Sequence, residues 1–285
     1  MKIAILLTCH DRKEKTLKCL HSLYSTYKNY DTYLVDDGCT DGTPEAVMAT
    51  FHNVHIIKGN GNLFWSRGMY TAWKVALKHQ YDFYLWLNDD TVLYPFFMEY
   101  LISSYGKMKG NCIVVGLIGN IFNKEEVIYG GYDSTKRLIT ESQYPQEITY
   151  MNGNVVLVPK EVVKKIGIID SVFHHDLGDV DYGLTAIEHG IKVVTSARII
   201  ALGYPNNYCR VRKWGTTLCK RIKKLNSPLG SPLNINFYYR KKHFGLMNAL
   251  IYCTYLIYIN LLPDKVVEKL WGNKYKDESF NKYAN

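Results

Sequence analysis

The sequence predicts an α/β fold with a mainly parallel sheet, and three observations support this prediction. Short apolar runs typical of buried strands recur in the first part of the chain, at Ile3–Leu7, Tyr33–Val35, His55–Ile57 and Tyr84–Leu87. Segments with apolar residues at helical spacing separate these runs. Polar residues follow the first, second and fourth runs directly, as expected at the rim of a sheet. Regular alternation of strands and helices predicts parallel strands with helices on both faces.

The helices of this first part can be assigned in chain order. Apolar residues from Leu17 to Tyr24 recur at helical spacing and predict the first helix. Thr43 can cap the second helix with Pro44 at its first position, where proline is favoured. An aromatic segment from about Trp65 to Lys78 predicts the third helix. Its spacing favours core packing of Trp65 and Trp73 over stacking on a base or a sugar.

The second half of the chain is less regular. Strands are predicted over Val114–Ile118 and Val155–Val158, and helices over Lys160–Ile166 and Asp179–His189. Phe244–Pro263 carries no charge and is about twenty residues long, which is enough to span a bilayer. Its glycine, asparagines and tyrosines disfavour a span, and favour a helix that packs on the protein, meets another subunit or lies in a membrane interface.

The positive charge of the chain is concentrated in one region. The formal net charge is +9, and no Asp or Glu lies between His189 and Pro263. The basic side chains of this region are Lys192, Arg198, Arg210, Arg212, Lys213, Lys220, Arg221, Lys223, Lys224, Arg240, Lys241 and Lys242. A block of one sign predicts an anionic partner, which could be phosphate, nucleic acid or an acidic membrane face, and the alternative is a solvated surface.

Cysteine usage and the start of the chain predict a cytoplasmic protein. The seven cysteines are scattered, without a Cys-x-x-Cys pair or metal-ligand spacing, as suits a reducing compartment. The apolar run Ile3–Leu7 is too short for a signal peptide and is soon followed by Asp11 and Arg12.

Three polar loops follow the first, second and fourth strands, at Thr8–Arg12, Asp36–Thr43 and Asn88–Asp90. Ligands of open α/β sheets bind at the carboxyl ends of the strands, so these loops predict one shared site. Adjacent carboxylates such as Asp89 and Asp90 suit Mg²⁺ or Mn²⁺, which commonly shares its coordination sphere with substrate phosphates. Taken alone, the same residues fit a solvated acidic turn equally well.

Other ligand-binding motifs do not fit these loops. The segment Asp37–Met48 begins like an EF-hand loop, but Cys39 stands at its third position and Met instead of Glu at its twelfth. Gly59-x-Gly61 is followed by Phe64 where the dinucleotide fingerprint requires Gly, and no Walker A sequence occurs.

Six segments resemble, in order, the motifs of family 2 glycosyltransferases with a GT-A fold. They are Thr8–Arg12, Leu34–Thr43, Asn60–Gly68, Asn88–Asp90, Met151–Asn154 and Gly178–Gly183. The second, LVDDGCTDGT, is nearly the family signature VDDGSTDGT, and the likeness covers roughly residues 1 to 245. This chain departs from the family at Cys9-His10, which replaces Tyr-Asn or Phe-Asn, and at Asn88, which replaces the first Asp of the Asp-x-Asp motif. It also lacks a His between His189 and His243, where the family often supplies a metal ligand.

The resemblance implies a GT-A-type fold with a mainly parallel nucleotide-binding sheet flanked by helices. Residues 1–205 would form the catalytic domain, with the nucleotide-sugar half over 1–120 and a fused acceptor-binding half over 121–205. Residues 206–285 would form a helical extension that is both basic and apolar.

The resemblance also implies inverting transfer of a sugar from a nucleoside diphosphate to an acceptor hydroxyl. Asp179 matches the catalytic base, with Asp181 as second choice and a helix cap as the alternative role, and Asp90 matches the ligand of Mn²⁺ or Mg²⁺. Asp36 or Asp37 would contact the nucleobase, and Asp89 would contact the ribose. The residues matched to nucleotide-sugar binding are Thr8, His10, Arg12, Asp36, Asp37, Asn62, Arg67, Asn88 and Asp89. Those matched to acceptor binding are Asn152, Gly153, Asn154 and Asp181.

The implied partners are a nucleoside-diphosphate sugar and a glycan or lipid-linked acceptor in surface polysaccharide synthesis, and no nucleic acid. The basic block beside Phe244–Pro263 predicts peripheral contact with the inner face of the plasma membrane. Formation of a homo-oligomer stays an open alternative. Two other functions stay open. One is a non-catalytic nucleotide- or sugar-binding protein, suggested by Asn88. The other is a nucleotidyltransferase, which would normally carry a Gly-rich loop where Thr8–Arg12 stands.

Overall fold

A nine-stranded sheet is the centre of the larger of two units in the computed structural model, which describes residues 1–25, 30–206 and 209–276. The larger unit comprises Met1–His174 and Gly178–Pro205. The smaller unit comprises His175–Leu177 and the described residues from Asn206 onward. The division of the catalytic domain into a nucleotide-sugar half and an acceptor half stays a prediction.

The sheet is mainly parallel, as the sequence predicts. Its strands, in spatial order, are β3 (Val54–Lys58), β2 (Asp31–Asp36), β1 (Ile3–Cys9), β4 (Phe83–Leu87), β10 (Val155–Pro159), β6 (Cys112–Asn120), β11 (Lys192–Gly203) and β5 (Val92–Leu93), and β7 (Asn123–Tyr129) pairs with β6. Strands β3, β2, β1 and β4 are mutually parallel, and β11 is parallel to β6. The antiparallel strands are β10, β5 and β7. A separate two-stranded sheet pairs β8 (Gly131–Tyr132) with β9 (Tyr150–Met151).

Helices cover both faces of the large sheet because successive side chains of a strand point to opposite faces. In β1, Ile5 and Leu7 pack on one side of the sheet, and Ala4 and Leu6 pack on the other. The helices on the first side are α1 (Lys13–Leu23), α2 (Thr43–Thr50) and α4 (Phe97–Lys107), and those on the second are α3 (Phe64–Ala76), α5 (Lys160–Ile166) and α6 (Gly178–Glu188). All five residues of β4 are buried, as expected for a strand covered on both faces.

Strand β11, which has twelve residues, is not among the strands that the sequence predicts. The pairing of β11 with β6 shifts register between Thr195 and Ile199 and again before Ala201. Near these shifts the sequence contains Thr195, Ser196 and Arg198, so β11 has no continuous apolar run from which a buried strand is recognised. The short strand β5, the exposed strand β7 and helix α4 were also not assigned.

The smaller unit contains four helices among its described residues. They are α7 (Leu218–Leu225), α8 (Leu233–Phe244), α9 (Leu246–Leu261) and α10 (Asp264–Trp271). Helices α8 and α9 pack together and meet at Gly245, whose φ of 85° lies in the left-handed region that favours glycine. Buried Arg212 fixes the end of α9, since its guanidinium donates to the carbonyls of Ile259 and Leu262 and pairs with Asp264.

Helix α9 accounts for most of the uncharged segment Phe244–Pro263. Its buried side chains include Ala249, Leu256 and Ile259. The opposite side of the helix is apolar and exposed at Leu246, Met247, Leu250, Ile251, Ile257, Tyr258 and Leu261. None of the helices within residues 1–25, 30–206 and 209–276 has the length and hydropathy needed to cross a membrane.

Candidate active site

The polar loops after β1, β2 and β4 converge at one rim of the large sheet. Strand β1 lies between β2 and β4 and is parallel to both, so the three strands end on the same side. Cys9, at the end of β1, is the register partner of Asp36, at the end of β2. The residues that follow these strands are therefore neighbours, although they are far apart in the sequence.

Arg12 holds the two carboxylates that follow β4. Its Nη1 atom lies 3.2 Å from Oδ1 of Asp89 and 3.1 Å from Oδ2 of Asp90. The side chain of Asp89 is only 8% exposed, and Thr16 donates its hydroxyl to the second oxygen at 3.4 Å. Burial raises the pKa of Asp89 to about 6, although the charge of Arg12 opposes that shift. The site thus contains a carboxylate pair that shares a single guanidinium.

Asp37 braces the loop that leads into α3. Its Oδ1 accepts the backbone N–H of Gly61 at 2.9 Å, and its Oδ2 accepts those of Leu63 and Phe64, each at 2.9 Å. The carboxylate is buried, so it satisfies three backbone donors at the start of a helix that has no side-chain cap of its own. The neighbouring Asp36 instead accepts the N–H of Cys39 at 2.8 Å. The two adjacent aspartates therefore have different structural surroundings.

The loop after β1 is tied to the loop after β2. His10 Nδ1 lies 2.7 Å from the carbonyl oxygen of Asp37, and Asp11 accepts the N–H of Thr40 at 2.6 Å. Asp11 has a φ of 46°, in the left-handed region that aspartate tolerates better than most residues. Thr8 contributes packing, because a Cβ on Gly68 of α3 would lie 2.3 Å from the Thr8 hydroxyl oxygen. These contacts fix the first loop against its neighbours.

Trp65 connects the loop after β4 to the segment that precedes β10. Its indole N–H donates to Oδ1 of Asn88 at 2.7 Å. A Cβ on Gly153 would lie 2.4 Å from the Trp65 ring and 3.2 Å from Cβ of Asp179, so only glycine fits between them. Asn88 also donates its backbone N–H to the carbonyl of Asn154 at 2.9 Å. Trp65 packs against the core, as its spacing predicts, and also forms this bridge, which the spacing does not predict, whereas Trp73 is fully buried in the core.

Asp179 lies in the first turn of α6 and is partly exposed. Its Oδ2 accepts the N–H of Gly153 at 2.8 Å, and its Oδ1 accepts the N–H of Val180 at 2.8 Å. Asp181 lies in the same turn but is buried. Of the two, Asp179 is the carboxylate that solvent, and hence a hydroxyl group, can reach.

The other predicted site residues make contacts with backbone groups. Asn152 accepts the N–H of Gly130 through its side chain at 3.3 Å, and Nε of Arg67 donates to the carbonyl of Ser171 at 3.1 Å. The carbonyl oxygen of Asn62 lies 2.6 Å from Nε2 of His174. These bonds position loops around the rim, and the binding roles of these residues stay predictions.

Within the described ranges, two groups of side chains could hold a divalent cation. One is a cluster of Asp11, Cys39 and Asp41, whose ligand atoms all lie within 4.8 Å of one another. Burial raises the pKa of Cys39 to about 11, so a cation that bound this thiolate would first have to displace its proton. Hydrogen bonds from Thr40 and from Thr43 lower the pKa of the two carboxyls, which already brace the loops.

The second group is the carboxylate pair, where Asp90 is the more accessible member at 23% exposure. The side chain of Asn88 accepts a hydrogen bond from Trp65. Asp89 accepts hydrogen bonds from Arg12 and Thr16. A single carboxylate together with phosphate oxygens is an arrangement that Mg²⁺ accepts. Asp90 thus fits a cation that arrives with a diphosphate, provided that Nη1 of Arg12 moves away.

Comparisons with known proteins agree with this architecture. The family model described as glycosyl transferase family 2 matches residues 4–167. An uncharacterised glycosyltransferase of Rickettsia prowazekii is 24% identical over 203 residues, which cover 63% of this chain and 58% of that protein. One from Rickettsia typhi is 24% identical over 168 residues, covering 52% of this chain and 47% of that protein. The match therefore spans about half the length of these relatives.

Solved structures share the fold at low sequence identity. The crystal structure of S. aureus TarS 1-349 in complex with UDP-GlcNAc has a TM-score of 0.55 and 12% identity, covering 96% of this chain and 87% of that one. The crystal structure of S. aureus TarS has a TM-score of 0.56 and 13% identity, covering 98% of this chain and 53% of that one. Because the family model matches more than half of the chain and the sheet and helices agree with the GT-A type, this chain belongs to glycosyl transferase family 2.

Proposed function

We propose that this protein is an inverting glycosyltransferase that moves a sugar from a nucleoside diphosphate to an acceptor hydroxyl. One observation carries the proposal, namely the contact of Trp65 with both ends of the site. Its ring packs on Gly153, whose N–H binds Asp179, and its indole binds Asn88 beside Asp89 and Asp90. Carboxylates that could hold a cation on the donor diphosphate thus share one rim with a carboxylate that could accept the proton of a hydroxyl.

In the proposed reaction, Asp179 takes the proton of the acceptor hydroxyl as its oxygen attacks the anomeric carbon. The bond from that carbon to the diphosphate breaks on the opposite face, which inverts the configuration. Backbone N–H groups of Gly153 and Val180 orient the base, and a carboxylate has lone pairs left for the hydroxyl. Arg12 and Arg67 supply positive charge for the phosphates. A divalent cation at Asp90, when bound, would neutralise charge that develops on the departing diphosphate.

For the donor we propose a uridine diphosphate sugar, because TarS, which shares the fold, is described in complexes with UDP and with UDP-GlcNAc. Asp36 is the residue we assign to the base. A screen of UDP, GDP, ADP and their sugars by thermal unfolding tests this assignment. A ligand at a hundred times its Kd stabilises by about 2.7 kcal/mol, or about 5 to 10 °C for a chain of this size. A Tm that no nucleotide sugar changes would contradict the proposal. If a nucleotide sugar raises the Tm but the protein does not slowly hydrolyse it in a separate assay, a non-catalytic binding protein is favoured.

Metal dependence is proposed through Asp90. We expect Mn²⁺ or Mg²⁺ to increase UDP affinity in the wild type, and Asp90→Ala to remove that increase, because Asp90 is the accessible carboxylate of the pair. Calorimetric titration with UDP in Mn²⁺ and in chelator measures the difference. Asp11→Asn is the control, since it alters the Asp11, Cys39 and Asp41 cluster but leaves Asp90 intact. Equal UDP affinity with and without metal in the wild type would rule out this role.

We further propose that the enzyme acts in surface polysaccharide synthesis on the inner face of the plasma membrane. The exposed apolar side of α9 begins beside Lys241 and Lys242, which are both exposed at the end of α8. Apolar side chains can enter the lipid interface while neighbouring lysines meet anionic headgroups, each worth about 1 kcal/mol. A second copy of the chain fits this surface less well, because a two-fold contact through the start of α9 would bring like charges together.

The membrane proposal predicts binding to vesicles that depends on α9. We expect cosedimentation with vesicles containing phosphatidylserine at low salt, and weaker binding to neutral vesicles. Met247→Asp should reduce binding at least about tenfold, because Met247 is 68% exposed and would place a carboxylate in the lipid interface. Met48→Asp is the matched control, since Met48 is 52% exposed on α2. If vesicles do not bind the protein and Met247→Asp instead dissociates a dimer, α9 is a subunit interface.

A further inference from the structure

Arg12 lies against Asp89 and Asp90, at the part of the site where the donor diphosphate is proposed to bind. One of its nitrogens, Nη1, contacts both Asp89 and Asp90, the carboxylate pair that includes the proposed cation ligand Asp90. The backbone of Arg12 is fixed, because its carbonyl accepts the N–H of Thr16 in the first turn of α1 at 2.9 Å. Its side chain is 48% exposed. A fixed backbone with an exposed side chain allows the guanidinium to move between two partners while the loop stays in place.

A guanidinium at this position excludes a divalent cation. A cation bound to Asp90 would lie within a few ångströms of Nη1, since that atom is 3.1 Å from Oδ2 of the same carboxylate. Like charges at such a separation repel strongly near a protein surface. Asp89 is nearly buried and needs a positive partner, so Arg12 and a metal ion compete for the same pair of carboxylates.

A diphosphate changes this competition because it offers a second anionic partner to Arg12. Guanidinium groups bind phosphate oxygens through two parallel hydrogen bonds. If Arg12 turns to the diphosphate, Asp90 becomes accessible to the cation that accompanies the nucleotide. Binding of the cation and binding of the nucleotide are then coupled through the position of one side chain.

We propose that Arg12 keeps the cation position at Asp90 closed until a donor diphosphate draws its guanidinium away. This inference rests on the proposed function and adds a positioning role for Arg12 in it. Its consequence is that Mn²⁺ alone binds the wild type weakly, and that metal and nucleotide strongly favour each other. By linkage, the factor by which UDP raises Mn²⁺ affinity equals the factor by which Mn²⁺ raises UDP affinity.

The test measures Mn²⁺ binding to the full chain without nucleotide, by electron paramagnetic resonance of free Mn²⁺. We expect Arg12→Gln to bind Mn²⁺ at least about tenfold more tightly than the wild type, because the competing charge is gone. Arg12→Lys retains a positive charge and should behave like the wild type. Lys18→Gln is the charge-matched control, since Lys18 is exposed on the same helix.

A double variant identifies where the additional Mn²⁺ binds. Arg12→Gln combined with Asp90→Asn should return Mn²⁺ affinity to the wild-type level, whereas binding at Asp11, Cys39 and Asp41 would persist in it. The coupling factor between UDP and Mn²⁺ should also fall at least about tenfold in Arg12→Gln. Equal Mn²⁺ affinity in the wild type and in a folded Arg12→Gln would overturn the inference.

The same measurements separate this inference from the proposed function. If the wild type binds no nucleotide, the proposed function fails, while the Mn²⁺ affinities still report whether Arg12 closes the position. If the wild type binds UDP but Mn²⁺ binds equally well without it, the role of Arg12 fails and the proposed function stands. Thermal unfolding of each variant checks that it is folded.

Discussion

Replacing Asp179 with Asn is expected to lower turnover at least about a hundredfold while donor affinity changes little. The substitution keeps the size of the side chain but replaces a basic carboxylate with an amide that is too weak a base to take the proton, and loss of a general base typically costs a factor of this order. Donor affinity should be preserved because the proposed donor contacts lie at Asp89 and Asp90, whereas Asp179 accepts the N–H groups of Gly153 and Val180. Initial rates with a UDP-sugar, together with UDP titration, separate the two effects.

The surroundings of Asp179 add a second expected consequence of this change. Both carboxylate oxygens accept a backbone N–H, one from Gly153 and one from Val180. Asn offers only one oxygen, so one of these donors would face an NH₂ group and lose its bond. We therefore expect a loss of about 1 kcal/mol in the free energy of unfolding, measurable by urea titration.

Asp181→Asn is the companion variant that decides between the two carboxylates of α6. Asp181 is buried, so its replacement should affect stability more than the proton-transfer step. Unchanged turnover in Asp179→Asn, with a large loss in a folded Asp181→Asn, would transfer the base assignment to Asp181. Unchanged turnover in both variants would remove the general-base mechanism through α6.

The sheet and its site rim were predictable because their signals are local. A buried strand such as β4 appears as an apolar run, and a polar loop after it marks the strand end. Parallel strands in alternation with helices then place such ends at one rim. Strand β11 was not predictable in this way, because Thr195, Ser196 and Arg198 interrupt its apolar run near the register shifts.

Which contacts each site residue makes was not predictable from the sequence. Asp36 and Asp37 are adjacent and chemically identical, and only the position of the loop before α3 makes Asp37 the one that binds three backbone donors. Trp65 has the helical spacing of a core residue, and this spacing does not distinguish a fully buried tryptophan from one whose indole reaches the site. The contact of Arg12 with both Asp89 and Asp90 joins residues about eighty positions apart, which no local pattern encodes.

Replacing Asp37 with Ala is expected to destabilise the protein by at least about 3 kcal/mol. Hydrogen bonds to charged groups contribute about 1.5 to 3 kcal/mol each, and Asp37 accepts three backbone N–H groups in a buried setting. For a chain of this size the change corresponds to a fall in Tm of roughly 6 to 12 °C. The N–H groups of Gly61, Leu63 and Phe64 should also lose protection from hydrogen exchange, because their common acceptor is gone.

Two matched variants test whether the bonds themselves cause this loss. Asp37→Asn can keep one oxygen for Leu63 and Phe64 while losing the bond to Gly61, so it should destabilise less than Asp37→Ala. Asp36→Ala removes a single backbone bond, to Cys39, and should also destabilise less than Asp37→Ala. Equal losses in Asp36→Ala and Asp37→Ala, or unchanged exchange at Leu63 and Phe64, would show that Asp37 does not brace the loop. Asp37→Ala is therefore expected to be the least stable of the three variants, because it loses three backbone bonds whereas Asp36→Ala and Asp37→Asn each lose one.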